Sequence, residues 1–154
     1  MRYEALMLQY PQLTIKEVTL PKGLAGVNFG NEIHLDKRRC RYEKHGILAE
    51  EIGHYETTYG DITNINDIRN WKLELVARRW GYEKVVSIDK LIECHELGHR
   101  TIDEVCTYLE VTPKYLKTSI EHYSSRYGIS IIHKGYEVFF DPLYIRRAKK
   151  FYSK

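Results

Sequence analysis

Ile47-Leu48-Ala49-Glu50-Glu51-Ile52-Gly53-His54-Tyr55 is the stretch from which the rest of the chain is read. Glu50 and His54 are four residues apart, and on an α-helix that spacing puts two side chains on one face, a turn apart. Glu51 is rotated by about 100° from Glu50 around the helix axis. The layout is that of H-E-x-x-H, in which two ligands hold a zinc ion and the intervening glutamate activates its water. Glu50 stands where the first histidine would be. About 20 residues beyond His54 lies Glu74, placed as a third ligand carried on a second helix.

Helical periodicity supports that placement. Ile47, Leu48, Ile52 and Tyr55 give the first helix an apolar face, from His45 or Gly46 to about Thr58, with Tyr59-Gly60 as its stop. Asp61 to Asn66 reads as a polar connector, and Asn66 or Asp67 as the cap of the next helix. That helix, Ile68 to Lys84, carries Trp71, Leu75, Ala77 and Trp80 among charged residues.

Upstream, Met1 to Gln9 has weak helical periodicity and stops at Tyr10-Pro11. Leu13 to Leu20 alternates in part, and Ala25 to Leu35 reads as two short strands around Gly30-Asn31, a hairpin signal. A small sheet packed on the helix follows from these. The polar run from Asp36 to Lys44 reads as a solvated loop or the start of the helix.

A literal H-E-x-x-H also occurs, His95-Glu96-Leu97-Gly98-His99. Ser87 caps a helix starting near Ile88, and Gly98 is placed to end it. Thr101-Ile102-Asp103-Glu104 has the form of a capping box, which starts a new helix. His95 and His99 then share no helical face, so this second motif is set aside as a metal site.

Further on, Thr101 to Glu110 is a short helix, and Thr112-Pro113 opens a longer one reaching about Arg126. The pair resembles a helix-turn-helix unit, for which a packing role is at least as well supported as DNA binding. Ile129 to Ile132 and Tyr136 to Phe140 flank His133-Lys134-Gly135 as a hairpin in the place of a wing. Leu143 to Tyr152 reads as a basic amphipathic helix with Arg146, Arg147, Lys149 and Lys150 outward.

Composition bounds the function. A chain of 154 residues with 43% hydrophobic content buries a real core as one domain or two small subdomains. The net charge of +3 is too mild to define a partner. Cys40, Cys94 and Cys106 are widely spaced and odd in number, favouring free thiols in a reducing cytoplasm. The first ten residues are too polar for a signal peptide, and no apolar run reaches the length of a membrane span.

Leu48-Ala-Glu-Glu-Ile-Gly-His-Tyr, the following Thr-Thr-Tyr-Gly-Asp-Ile, and Lys72-Leu-Glu-Leu-Val-Ala-Arg-Arg-Trp-Gly-Tyr-Glu-Lys together resemble the ImmA/IrrE family of metallo-endopeptidases. The likeness extends through Asp89-Lys-Leu-Ile-Glu and Tyr108-Leu-Glu-Val-Thr, so it covers about Leu20 to Gly128. The elements read above make the fold α+β and mainly helical, and the resemblance implies that its core is zincin-like. A zincin-like metalloprotease core with a small N-terminal sheet would occupy residues 1–86. A helix-turn-helix-like, winged C-terminal region with a β-hairpin would occupy residues 87–154. It also implies cytoplasmic cleavage of a cognate repressor or regulator; members from phages and mobile elements act on the repressor that maintains their dormant state. By position, Glu50, His54 and Glu74 fall at the metal ligands and Glu51 at the general base. With two carboxylates and one imidazole, the ion expected is Zn2+, with Mn2+ or another divalent ion tolerated.

Each residue has a plainer reading: Glu51 as a solvated helix position, Glu74 as the i, i+4 partner of Arg78, His54 as a satisfied histidine. Tyr55 and Tyr59 could donate to an oxyanion, but in a chain of thirteen tyrosines packing is the stronger reading. Two further function classes stay open, a binder that disables a repressor without cutting it and a DNA-binding regulator. DNA is the less favoured partner, and oligomeric state is not legible.

Overall fold

The computed structural model describes residues 1–57 and 68–149. The expected helix stop at Tyr59-Gly60, the connector Asp61 to Asn66, the cap at Asn66 or Asp67, and Lys150 to Tyr152 lie outside the described residues. The fold is α+β, with two three-stranded sheets.

The chain begins with α1 (Arg2–Leu8), then β1 (Thr14–Val18), β2 (Gly26–Phe29) and β3 (Glu32–Asp36). Gly30 turns β2 back onto β3 with φ +64°, a conformation that glycine adopts without steric cost. β3 is central, parallel to β1 and antiparallel to β2. Ile33 and Leu35, two residues apart on β3, are fully buried on one face.

Helix α2 (Arg41–Thr57) starts four or five residues earlier than the periodicity suggests. Asp36, expected in a solvated run, is only 3% exposed. Its carboxylate accepts from Arg38 Nε at 2.9 Å and from Arg38 Nη2 at 3.1 Å, and the same guanidinium reaches the carbonyl of Leu20 at 2.6 Å. This bidentate pairing ties the end of the sheet to the helix entrance.

Helix α3 (Ile68–Val85) packs antiparallel to α2 along a seam of small residues. A Cβ on Gly53 would lie 2.3 Å from the carbonyl oxygen of Ala77, and one on Gly81 would lie 3.3 Å from that of Ala49. The helices can approach this closely only because those side chains are missing.

Three shorter helices follow: α4 (Ile88–Glu96), α5 (Ile102–Leu109) and α6 (Pro113–Tyr127). Their starts are those the sequence signals. Ser87 Oγ accepts from Lys90 N, Thr101 and Glu104 close a full capping box, and Thr112 caps α6 with Pro113 in its first turn. Tyr123 on α6 donates its buried hydroxyl to the carbonyl of Val86 at 2.7 Å. One continuous core runs from Tyr3 and Leu6 through Ile33, Leu48 and Ile52 to Leu109, Leu116 and Val138.

The chain closes with β4 (Ser130–His133), β5 (Tyr136–Phe140) and β6 (Leu143–Arg147) as an antiparallel meander. Lys134 and Gly135 both take positive φ, the primed turn that matches strand twist. The expected basic helix over Leu143 to Tyr152 is therefore corrected: residues 143–147 are a strand. Leu143 and Ile145 point inward two residues apart, and Ile145 pairs with fully buried Val138. Burying such a side chain is worth about 1.5–3 kcal/mol, more than local helix preference can offset. Arg146 turns back onto Glu137 at 2.8 Å instead of facing solvent unpaired.

Candidate metal centre

The antiparallel seam sets the pairing of polar residues across α2 and α3. Gly53 lies against Ala77 and Ala49 against Gly81. The residues beside them then meet in the same register: His54 faces Glu74, and Glu50 faces Arg78. His54 Nε2 lies 3.1 Å from Glu74 Oε2, and Arg78 Nε donates to Glu50 Oε1 at 3.1 Å.

Glu50, His54 and Glu74 each offer a ligand atom within 4.8 Å of the other two. In a tetrahedral zinc site with bonds of about 2.0–2.2 Å, ligand atoms lie roughly 3.3–3.6 Å apart. The His54–Glu74 separation already approaches that edge; Glu50 has to swing inward from Arg78. The donor set is one imidazole and two carboxylates, which suits zinc and tolerates manganese. The residues fit a divalent cation.

Glu51 lies beside this group, 9% exposed. Burial pushes its carboxyl up to about 8, with the negative charges of Glu50 and then Glu74 adding to the shift. β2 covers Glu51: a Cβ on Gly26 would come within 3.3 Å of Glu51 Oε1 and 2.7 Å of Ile47. His54 Nδ1 is buried and finds no hydrogen-bond partner among the described residues.

The i, i+4 spacing of Glu74 and Arg78 suggests a pair, but the structure gives Glu74 to His54 and Arg78 to Glu50. Tyr55 packs against the core, in keeping with its plainer reading, and Tyr59 lies outside the described residues. Arg78 and Gly26 are the site residues the sequence reading missed. Arg78 was named there only for its spacing from Glu74, and nothing local marks Gly26.

His95-Glu96-Leu97-Gly98-His99 is broken by a helix end. Gly98 takes φ +84°; its N–H reaches the carbonyl of His95 at 3.1 Å, and His99 N–H that of Cys94 at 2.9 Å. These two bonds are the Schellman pair that terminates a helix. The rings diverge, His95 onto Tyr136 and His99 onto Tyr108. Among the described residues, the group able to hold a metal is Glu50, His54 and Glu74.

No family model matches the chain, and no curated protein or solved structure matches it.

Proposed function

We propose that the protein is a metal-dependent endopeptidase of the ImmA/IrrE type, with a zincin-like core, that cleaves a cognate repressor or regulator protein in the cytoplasm. The observation that carries this reading is the meeting of Glu50, His54 and Glu74 with Glu51 at their side. The motif resemblance over Leu20 to Gly128 supplies the substrate class.

Glu50, His54 and Glu74 would hold a divalent ion, zinc or manganese, which when bound polarises a carbonyl and acidifies water. Glu51 does the proton work. With a bound ion's positive charge beside it favouring the ionised form, its carboxylate would take a proton from the attacking water as oxygen adds to the scissile carbonyl, and return it to the amine nitrogen as the C–N bond breaks. β2 supports a polypeptide substrate: it is an edge strand of its sheet and Gly26 brings its backbone over Glu51, so an extended chain added there would run past the base.

A non-catalytic binder is the second reading, and one observation favours it. Arg78 already supplies Glu50 with a positive charge. A DNA-binding regulator would use α5 and α6 as a helix-turn-helix with β4, β5 and β6 as its wing. Arg146, one of the cations that reading relies on, is occupied by Glu137.

Glu51→Gln separates these readings. The amide is isosteric and accepts no proton, and loss of a general base costs about 10²–10⁴ in rate. Metal content and fold should be retained while repressor fragments vanish. If the variant relieves repression as fully as the native chain, with no fragments from either, the binder reading replaces the protease.

A further inference from the structure

At the other end of the α2–α3 pair, the chain forms a pocket of about 160 Å³ that is open to solvent on one side. Leu6 and Val85 are its buried apolar lining, and its polar lining includes Arg2, His45, Lys84 and Lys90. No carboxylate lines it among the described residues. His45 lies nine residues before His54 on α2, about 13 Å along the axis, so the cavity is separate from the candidate metal centre.

The partners of these cations among the described residues are carbonyls and aromatic rings. Arg2 Nε donates to the carbonyl of Tyr108 at 2.6 Å, and its guanidinium lies 4.5 Å over that ring. Lys90 Nζ donates to the carbonyl of Lys84 at 3.1 Å, and Lys84 Nζ stands 6.0 Å from the Tyr10 ring. The nearby carboxylates are engaged elsewhere: Glu110 accepts from the backbone N–H of Arg2 at 2.6 Å, and Glu93 accepts from the Tyr108 hydroxyl. His45 Nδ1 must donate to the carbonyl of Glu110 at 2.8 Å, which leaves Nε2 as the ring's remaining polar atom.

Gathering three cations in a partly enclosed space costs energy unless an anion joins them. Burial, then the charges of Arg2 and Lys84, lowers the Lys90 ammonium below its ordinary value against a smaller opposing pull from Glu93; burial likewise lowers His45, against the opposing hydrogen bond to Glu110, with Lys90 and Arg2 adding to the lowering. Among the described residues much donor capacity is unused, since an ammonium carries three N–H groups and a guanidinium five. We propose that this cavity binds a small dianionic phosphoryl group, free phosphate or a compact phosphomonoester, with Arg2, Lys84 and Lys90 as its ligands. A guanidinium fork beside two ammonium groups is the donor set that phosphate oxygens select.

The test is calorimetric titration of the full chain with inorganic phosphate, ionic strength held constant with chloride. One saturable site is expected, weakening as salt rises. Lys90→Met and Lys84→Gln should each lower the affinity at least tenfold, with Lys22→Gln, on an exposed turn, unchanged. Lys84 is partly exposed, so its variant reports even if Lys90→Met folds poorly. Glycerol phosphate competing with phosphate would assign the site to phosphomonoesters; failure to compete beside phosphate binding would assign it to the free ion. No saturable heat, or binding that both variants retain, overturns the proposal. Displacement of phosphate by duplex DNA would assign the cluster to nucleic acid and overturn it as well.

Discussion

Glu50-Glu51-Ile52-Gly53-His54 and His95-Glu96-Leu97-Gly98-His99 carry nearly the same residues in the same order, and a pattern search prefers the second. Their glycines part them. Gly53 stays inside α2 and allows Ala77 of α3 to approach where a Cβ would lie 2.3 Å from its carbonyl oxygen. Gly98 takes φ +84° and ends α4, so the histidines on either side of it face different neighbours. A metal motif is a statement about a continuous helix and a partner element, and the glycine decides whether either exists.

The widest gap between the two regions should appear in metal content. His54→Ala removes the sole imidazole among the three grouped ligands. Affinity should fall by more than about 100-fold, beyond the 10–100-fold that loss of an outer hydrogen bond costs. His95→Ala and His99→Ala should leave metal content unchanged. Elemental analysis of the three purified variants decides it, and zinc lost with His99 but retained without His54 would reverse the assignment.

A smaller contrast lies in the glycines. Gly53→Ala forces the α2–α3 seam apart or strains it, costing about 3 kcal/mol at the upper end of overpacking effects, and should carry Glu74 away from His54. Gly98→Ala meets open space but a left-handed backbone, a cost of about 1–2 kcal/mol with no effect on metal. Urea midpoints with parallel metal titrations check both. Equal stability losses with metal binding intact in each would remove the glycine argument.

Local signals made much of this legible. Ser87, the Thr101–Glu104 box, Thr112-Pro113, and the turns at Gly30 and Lys134-Gly135 each satisfy or redirect backbone within a few residues, so sequence alone places them. The one-face placement of Glu50 and His54 is likewise fixed by helix geometry. What stayed hidden depends on partners far along the chain. β6 is a strand because Ile145 meets Val138, a pairing that the basic residues around it do not announce. Asp36 is buried against Arg38, whose guanidinium is in turn anchored on the carbonyl of Leu20, 18 residues back along the chain. The Glu50–Arg78 contact spans 28 residues and follows only once the α2–α3 register is known.

That contact yields the smallest effect and sharpens the comparison most. Arg78 is half exposed and occupies one oxygen of Glu50, the ligand that departs from H-E-x-x-H. A cation entering the site must compete with the guanidinium for this carboxylate, and it also feels the residual positive charge. Exposed pairs of this kind contribute about 0–1 kcal/mol, which is at most roughly fivefold in an equilibrium constant. Arg78→Met should therefore tighten metal binding by up to about fivefold, with stability almost unchanged. Among the described residues, His95 and His99 share no ligand group, so they offer no such handle. Titration of native and variant chains with zinc and with manganese measures the effect. If Arg78→Met weakens binding instead, Arg78 is orienting Glu50 toward the ion rather than withholding it, and the two-carboxylate site depends on its second helix for more than Glu74.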